Sequence, residues 1–331
     1  MTISTVVEPP EATTLDPGHN TTLRRVLAAV LRRRNLAGGL QIVQTKFNDY
    51  SSTFDSYFLD CRLGDGSSLR VFWKRGGGPR YSTCGHKGGV VYEAEVFRRV
   101  LSRSQLSLPR YYGSHRADDG ETWLFMESLD DCVRWTTTVD PDANAVRLAG
   151  WIGRFHAEQE AAIKRSAMPS LARHDAPYYR NWIQRTWQFA QPLHDQFPWL
   201  CGLCQRAHEV LPWLLNAPRT LIHGELFPQN VLIRDQTIFP VDWEAAAIAA
   251  GELDLVSMTD NWPEQVAARC EAQYIRSRWS GQPPAEFACT LAVARLFHQF
   301  LWLGDHADRT LGFAKWRFSH LRTAGERLGL I

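Results

Sequence analysis

The segment Leu221-Ile222-His223-Gly224-Glu225-Leu226-Phe227-Pro228-Gln229-Asn230 places an acid and an amide on one short stretch, and Pro240-Val241-Asp242-Trp243-Glu244 follows soon after. Moving a phosphoryl group calls for a carboxylate beside the attacking hydroxyl. It also calls for oxygen ligands to the divalent cations that bridge nucleotide phosphates. Glu225 and Asn230 share a loop. The short strands Val231 to Ile233 and Thr237 to Val241, joined by the polar turn Arg234-Asp235-Gln236, return the chain to Asp242. Those three oxygen-bearing side chains are thereby expected to converge. A further acidic segment, Gly251-Glu252-Leu253-Asp254-Leu255, opens a helix, and there Asp254 reads as fixing the loop or capping the helix rather than touching substrate. His223 reads as a hydrogen-bonding partner of the loop backbone, not as a proton carrier.

Other elements must hold that loop. Residues 1–20 mix Pro, Glu, Thr and Gly without apolar periodicity and read as a mobile tail. Thr21 or Thr22 then caps a helix with Leu23, Val26, Leu27, Val30 and Leu31 on one face and a solvated arginine face opposite. Strands follow at Gln41 to Thr45, Tyr57 to Leu63 and Leu69 to Trp73, the last two joined by the hairpin turn Gly64-Asp65-Gly66. After a glycine-rich loop (Gly76, Gly77, Gly78, Pro79), Val91 to Leu101 reads as a helix and Trp123 to Met126 as a strand. Beyond Asp140 the pattern is helical at Ala143 to Arg165, across Tyr178 to Trp199 as one or two helices, at Cys201 to Leu215, and from Pro263 to Leu328. The expected architecture is α+β, with a small β-rich lobe over residues 21–127 and a larger, mostly helical lobe over 128–331.

Composition narrows the function classes. With 331 residues the chain can bury roughly three quarters of its unfolded surface without metal or disulfide staples. Thirty-seven basic against 35 acidic residues leave +2, and 44% of residues are hydrophobic, which excludes a disordered chain and a polybasic nucleic-acid coat. No apolar run reads as long enough to span a bilayer, and the N-terminus has no basic start or apolar segment, so neither membrane nor secretion is expected. The seven cysteines read as reduced thiols of a cytoplasmic protein, and Cys201 and Cys204 as core residues of one helix rather than a zinc pair.

The pair His223-Gly224-Glu225…Asn230 and Asp242-Trp243-Glu244 resembles the H-G-D-x-x-x-x-N and I-D-W-E-like signature of the aminoglycoside phosphotransferase and choline kinase-like family. The likeness spans about residues 40 to 305 and implies a bilobal protein-kinase-like fold around an interlobe cleft. It implies that Asn230 and Asp242 hold Mg²⁺ and that Lys74 holds the α- and β-phosphates of ATP, or of GTP. Glu93 then looks like the ion-pair partner of Lys74, with Glu95 as the alternative. Phe125-Met126-Glu127-Ser128-Leu129 looks like the hinge. There the Glu127 carbonyl and the Leu129 amide would meet the adenine edge, and Met126 would line the back of the pocket. Ser51, Ser52 and Thr53 stand where protein kinases carry a glycine-rich loop. His156 looks like a helix histidine that many members carry, and reads as packing.

One departure sits at the centre, because Glu225 occupies the position of the family's catalytic aspartate. The extra methylene moves the carboxylate by up to about 1.5 Å, one carbon–carbon bond. A misplacement near 1 Å can cost about 100-fold in rate. In a loose transition state, however, the carboxylate mainly orients the hydroxyl, so a shifted backbone accommodates Glu. Two readings follow, a kinase acting on a hydroxyl of a small molecule and a nucleotide-binding regulator with lost turnover. A protein kinase is disfavoured by the lack of a D-F-G to A-P-E segment. Trp262, Trp279, Phe297, Phe300, Trp302, Phe313 and Trp316 crowd the last helical region, as core or as walls of an acceptor pocket. Charges balance there, which disfavours a polycationic aminoglycoside as acceptor. Sugar, nucleoside, antibiotic and amino-alcohol hydroxyls stay open, as does the oligomeric state.

Overall fold

The computed structural model describes residues 17–36, 39–51, 53–78, 85–166, 168–312 and 314–331. The chain divides into two compact units, the first taking Met1–Arg80, Gly88–Arg103 and Pro109–Asp130, the second Tyr81–Lys87, Ser104–Leu108 and Asp131–Ile331.

The first unit contains α1 (Pro17–Arg32), β1 (Leu40–Phe47), β2 (Ser56–Leu63), β3 (Ser68–Gly76), α2 (Gly89–Arg99), β4 (Tyr111–Arg116) and β5 (Thr122–Glu127). Helix α1 starts at Pro17, ahead of the expected Thr21 or Thr22 cap, because proline's fixed φ is already helical and its missing N–H is not needed in a first turn. The tail expected through Asn20 therefore gives way to helix from residue 17, and residues 1–16 lie outside the described residues. The strands form one antiparallel sheet in the order β1-β2-β3-β5-β4. Gly66, at φ 84°, turns β2 into β3 as its sequence suggested. Leu23, Leu27 and Leu31 of α1 pack with Leu59, Val71, Trp73 and Phe125 of the sheet in one apolar core. Alternation along β3 sends Trp73 into that core and Lys74 to the opposite face. Strand β4 was not apparent in sequence, since Gly113, Ser114 and His115 interrupt its apolar start and the pairing with β5 shifts register between Tyr111 and Gly113.

The second unit contains β6 (Val133–Arg134), α3 (Pro141–Arg165), α4 (Ala176–Phe189), α5 (Trp199–Arg206), α6 (Leu211–Leu215), β7 (Arg219–Ile222), β8 (Val231–Arg234), β9 (Thr237–Pro240), β10 (Ala247–Ala250), α7 (Glu252–Thr259), α8 (Glu264–Trp279), α9 (Phe287–Asp305), α10 (Ala307–Gly312) and α11 (Ala314–Arg327). Two aspartates start helices: Asp140 accepts from the Ala143 amide at 2.9 Å for α3, and Asp175 accepts from the Tyr178 amide at 2.9 Å for α4. The single helix expected over Cys201 to Leu215 is broken into α5, a 3₁₀ turn and α6. Pro212 has no N–H to continue the first helix but is tolerated in the opening turn of the next. Cys201 and Cys204 do share α5, yet Cys201 is exposed and Cys204 half-buried, so they are not core residues. Strands β7 and β10 pair antiparallel, and β6, β8 and β9 form a second small sheet.

Helix α9 corrects one expectation. Its 19 residues, with a mean hydropathy of 1.2, are long and apolar enough to cross a bilayer, but 67% of that stretch is buried inside the protein. Leu291, Ala294, Phe297 and Phe300 spend its apolar character on the core.

Candidate active site

The site is built on the turn that leaves β7. Gly224 adopts φ 86°, and a Cβ there would lie 2.2 Å from the Ala245 carbonyl oxygen, so the backbone must pass where a side chain cannot. Asp254, in the first turn of α7, fixes this turn from beneath. Its carboxylate accepts from the His223 amide at 2.7 Å and from the Gly224 amide at 2.9 Å. His223 donates from Nε2 to the Val241 carbonyl at 2.9 Å and accepts the Glu225 amide at Nδ1, 3.3 Å away. Both residues therefore tie down the loop, as their types and positions suggested.

Asn230 closes the arrangement. Its side-chain NH₂ donates to the Glu225 carbonyl at 3.0 Å, and its own carbonyl accepts the Val241 amide at 2.9 Å. Its amide oxygen is the atom of that side chain with lone pairs to offer. Asp242 follows directly at φ 68°, a left-handed conformation that costs a non-glycine residue of order 1 kcal/mol and is found where geometry is functional. Trp243 anchors it, fully buried, with Nε1 on the Pro240 carbonyl at 3.1 Å and its ring 4.5 Å from that of His223. Glu225, Asn230 and Asp242 are thus brought together.

The Glu225 carboxylate is not left to solvent. Lys87 reaches it at 2.8 Å and His86 at 3.5 Å, and Lys87 also lies 3.5 Å from the buried Glu244. Burial alone would raise the Glu225 pKa, but His86 and Lys87 outweigh it and hold the group down to about 2. Sequence reasoning missed both partners. The available signal was the longer arm of Glu225, which gives the carboxylate extra reach.

Beneath the turn a buried relay continues. His156 Nε2 is 3.2 Å from Asp254, His156 Nδ1 is 2.9 Å from the Tyr274 hydroxyl, and Arg278 donates to that hydroxyl at 2.6 Å. Burial lowers the His156 pKa against the pull of Asp254, so the neutral ring donates to the carboxylate and accepts from tyrosine. His156 is therefore a hydrogen-bonded link, where the sequence suggested packing alone.

In the first unit, Lys74 Nζ lies 2.8 Å from the fully buried Glu93 carboxylate. Glu95 instead faces outward and pairs with Arg98 and Arg99 on the same helix, which decides between the two acids. Ser51 contributes its hydroxyl to its own loop, 2.5 Å from the Ser56 hydroxyl and accepting the Ser56 amide at 3.1 Å. Thr53 is half-buried, and Ser52 lies outside the described residues. Strand β5 ends at Glu127, whose amide and carboxylate both bond the Arg110 backbone, at 2.8 and 3.1 Å; Met126 is buried and Leu129 half-buried. The C-terminal aromatics divide: Trp262 stacks on Trp135, Trp279 packs on Tyr274, Trp302 and Trp316 flank Arg317, Phe300 is core, and Phe313 lies outside the described residues. No cluster of three or more metal-binding His, Cys, Asp or Glu occurs among the described residues.

A sequence profile described as the phosphotransferase enzyme family matches residues 62–287. The chain belongs to that family. Solved structures of similar fold include the GDP complex of wild-type aminoglycoside 2'-phosphotransferase-IIIa, 15% identical, covering 92% of this chain and 98% of that one with a TM-score of 0.60. They also include choline kinase from Cryptosporidium parvum (15%, 93% and 97%, TM-score 0.60). A third is macrolide 2'-phosphotransferase from Brachybacterium faecium (17%, 90% and 96%, TM-score 0.53). At such identities these likenesses establish the fold, which is the protein-kinase-like α+β fold with a small antiparallel sheet and a larger helical unit. No curated protein matches the chain in sequence. The family profile and the fold agree with the small-molecule kinase that the motifs implied.

Proposed function

We propose that the protein transfers the γ-phosphate of ATP, with Mg²⁺, to a hydroxyl of a small molecule. The observation that carries this reading is the convergence of Glu225, Asn230 and Asp242 on one loop and hairpin. The donor set suits Mg²⁺, which takes one or two protein oxygens and leaves the remaining positions to water and phosphate. Asn230 Oδ1 and the Asp242 carboxylate would hold the ion, which when bound neutralises charge on the transferring group. Lys74, oriented by Glu93, would fix the α- and β-phosphates, and the Glu127 carbonyl and Leu129 amide would take the adenine edge. Glu225 would orient the acceptor hydroxyl and take its proton as the hydroxyl oxygen bonds to the γ-phosphorus and the bond to ADP breaks. GTP is the other candidate nucleotide, and a similar structure was solved with GDP. Use of a nucleoside triphosphate fits a cytoplasmic protein.

The engagement of Glu225 by Lys87 favours a second reading, a nucleotide-binding regulator with lost turnover. One experiment separates them. Purified protein with Mg·ATP is assayed for nucleotide binding by thermal shift and for ADP release over a panel of hydroxyl compounds. Binding with turnover supports the kinase, binding without turnover supports the regulator, and no binding refutes both.

A further inference from the structure

Beside Glu225 the second unit contains a cavity of about 30 Å³, lined in part by Gly224 and His86, the immediate neighbours of that carboxylate. Four of its lining residues carry buried polar atoms with no hydrogen-bond partner among the described residues. These are both ring nitrogens of His174, Tyr179 Oη, Trp182 Nε1 and Ser257 Oγ, while His86 Nε2 faces Glu225 at 3.5 Å. Each of those residues is at most 5% exposed. An unpaired buried donor or acceptor costs about 1–3 kcal/mol, so such a concentration in one place needs a reason.

We propose that this cavity is the acceptor subsite and takes one uncharged hydrogen-bonding arm, a hydroxyl, carbonyl or carboxamide, of a neutral small molecule. This rests on the phosphotransferase reading of Glu225. The volume admits about two waters or a substituent of that size, not a whole sugar ring. The body of the acceptor therefore stays outside while one arm enters.

Chemistry sets the class. No Asp, Glu, Lys or Arg lines the cavity among the described residues. Burial, together with the charges of His86 and Arg219, keeps His174 well below its ordinary pKa, so its ring is neutral and offers one donor and one acceptor. Trp182 adds a donor, while Tyr179 and Ser257 can do either. The nearest carboxylate to the lining His298 is Asp260, and Arg317 already holds it at 2.7 Å. An ammonium entering here would lose its water and find only Glu225, already held by Lys87, and a carboxylate would find only the His86 ring, which already faces Glu225. The walls are also stiff, with His174 stacked on Tyr178 at 3.7 Å and Tyr179 edge-on to Phe297 at 5.0 Å.

The test is an ADP-release assay with Mg·ATP on the wild type, Trp182→Phe and Tyr179→Phe. Tyr179→Phe keeps the ring and removes only the hydroxyl; Trp182→Phe removes the indole N–H together with its five-membered ring, so the Tyr179 variant is the cleaner of the two. The acceptors are neutral compounds (myo-inositol, uridine, hydroxy-amides), amino alcohols (choline, ethanolamine) and kanamycin. Thermal unfolding confirms that each variant folds. Turnover confined to neutral acceptors supports the proposal, provided each variant raises the acceptor KM about 5- to 30-fold, the factor for one lost hydrogen bond, and leaves the KM for ATP within about twofold. A preference for kanamycin or choline overturns it, as does an unchanged acceptor KM in both variants, while the phosphotransferase reading stands. If the wild type neither binds nor turns over Mg·ATP, that reading falls and takes this one with it.

Discussion

Lys87 holds the Glu225 carboxylate at 2.8 Å from a point far upstream in the chain. The longer glutamate arm therefore ends on a cation. The same pairing governs acid stability. The Glu225 pKa is about 2 in the folded protein, below its unfolded value near 4.3, so its stabilisation is fully present above about pH 4.3 and is lost as the pH falls toward 2. The carboxylate is only 13% exposed, so solvent screening removes little of this, and the contribution is on the order of 2–3 kcal/mol. Urea unfolding at pH 7 and pH 3 is expected to show about half of that loss in the wild type, and less than half as much in Lys87→Met.

The Lys74–Glu93 pair predicts strong non-additivity. Glu93 is fully buried, so Lys74→Met strips a buried carboxylate of its cation and should cost about 3–5 kcal/mol. Glu93→Gln alone should destabilise similarly, and the double variant should recover most of the stability while binding Mg·ATP no better than either single one. A double-mutant cycle by chemical denaturation, with nucleotide titration alongside, measures both. Additive losses would show that the two side chains do not act on each other.

Glu225 and Asp242 should separate on kinetic grounds. Glu225→Gln is expected to lower kcat by about 10²- to 10⁴-fold with little change in the KM for ATP, the range for losing a positioned carboxylate. Asp242→Asn should instead raise the Mg²⁺ concentration needed for half-maximal rate, because a charged ligand becomes neutral. Steady-state rates across a Mg²⁺ series distinguish them.

Asp254 and Gly224 test whether the turn is held from beneath. Asp254→Ala leaves the His223 and Gly224 amides without their acceptor and should cost about 2–4 kcal/mol, while hydrogen exchange at residues 223–225 speeds up. Gly224→Ala collides with the Ala245 carbonyl in a left-handed conformation and should lose activity even where the protein still folds.

Much of this site was legible because it is local. The loop from His223 to Asn230 and the β8–β9 hairpin are adjacent in sequence, so residue type and spacing suffice to bring Glu225, Asn230 and Asp242 together. The placement of Asp254 at a helix start pointed to its role for the same reason. What stayed hidden depends on distant contacts. Lys87 lies in a glycine-flanked stretch with no periodicity, and only the folded chain brings it to Glu225. His156 falls on the apolar stripe of α3 and reads as packing until Asp254 and Tyr274 arrive from elsewhere. Strands β7 and β10, Arg219–Ile222 and Ala247–Ala250, are four residues each and do not alternate, so neither announces itself.

Arg278, Tyr274, His156 and Asp254 form an unbroken line of hydrogen-bonding groups from helix α8 to the turn that presents Glu225. A map of tolerated substitutions would accordingly be lopsided. Tyr274, remote from any reacting atom, would rank with the site itself, whereas its solvent-facing neighbours Arg269 and Ala272 would accept almost anything. An engineer hunting for altered turnover would do well to begin there.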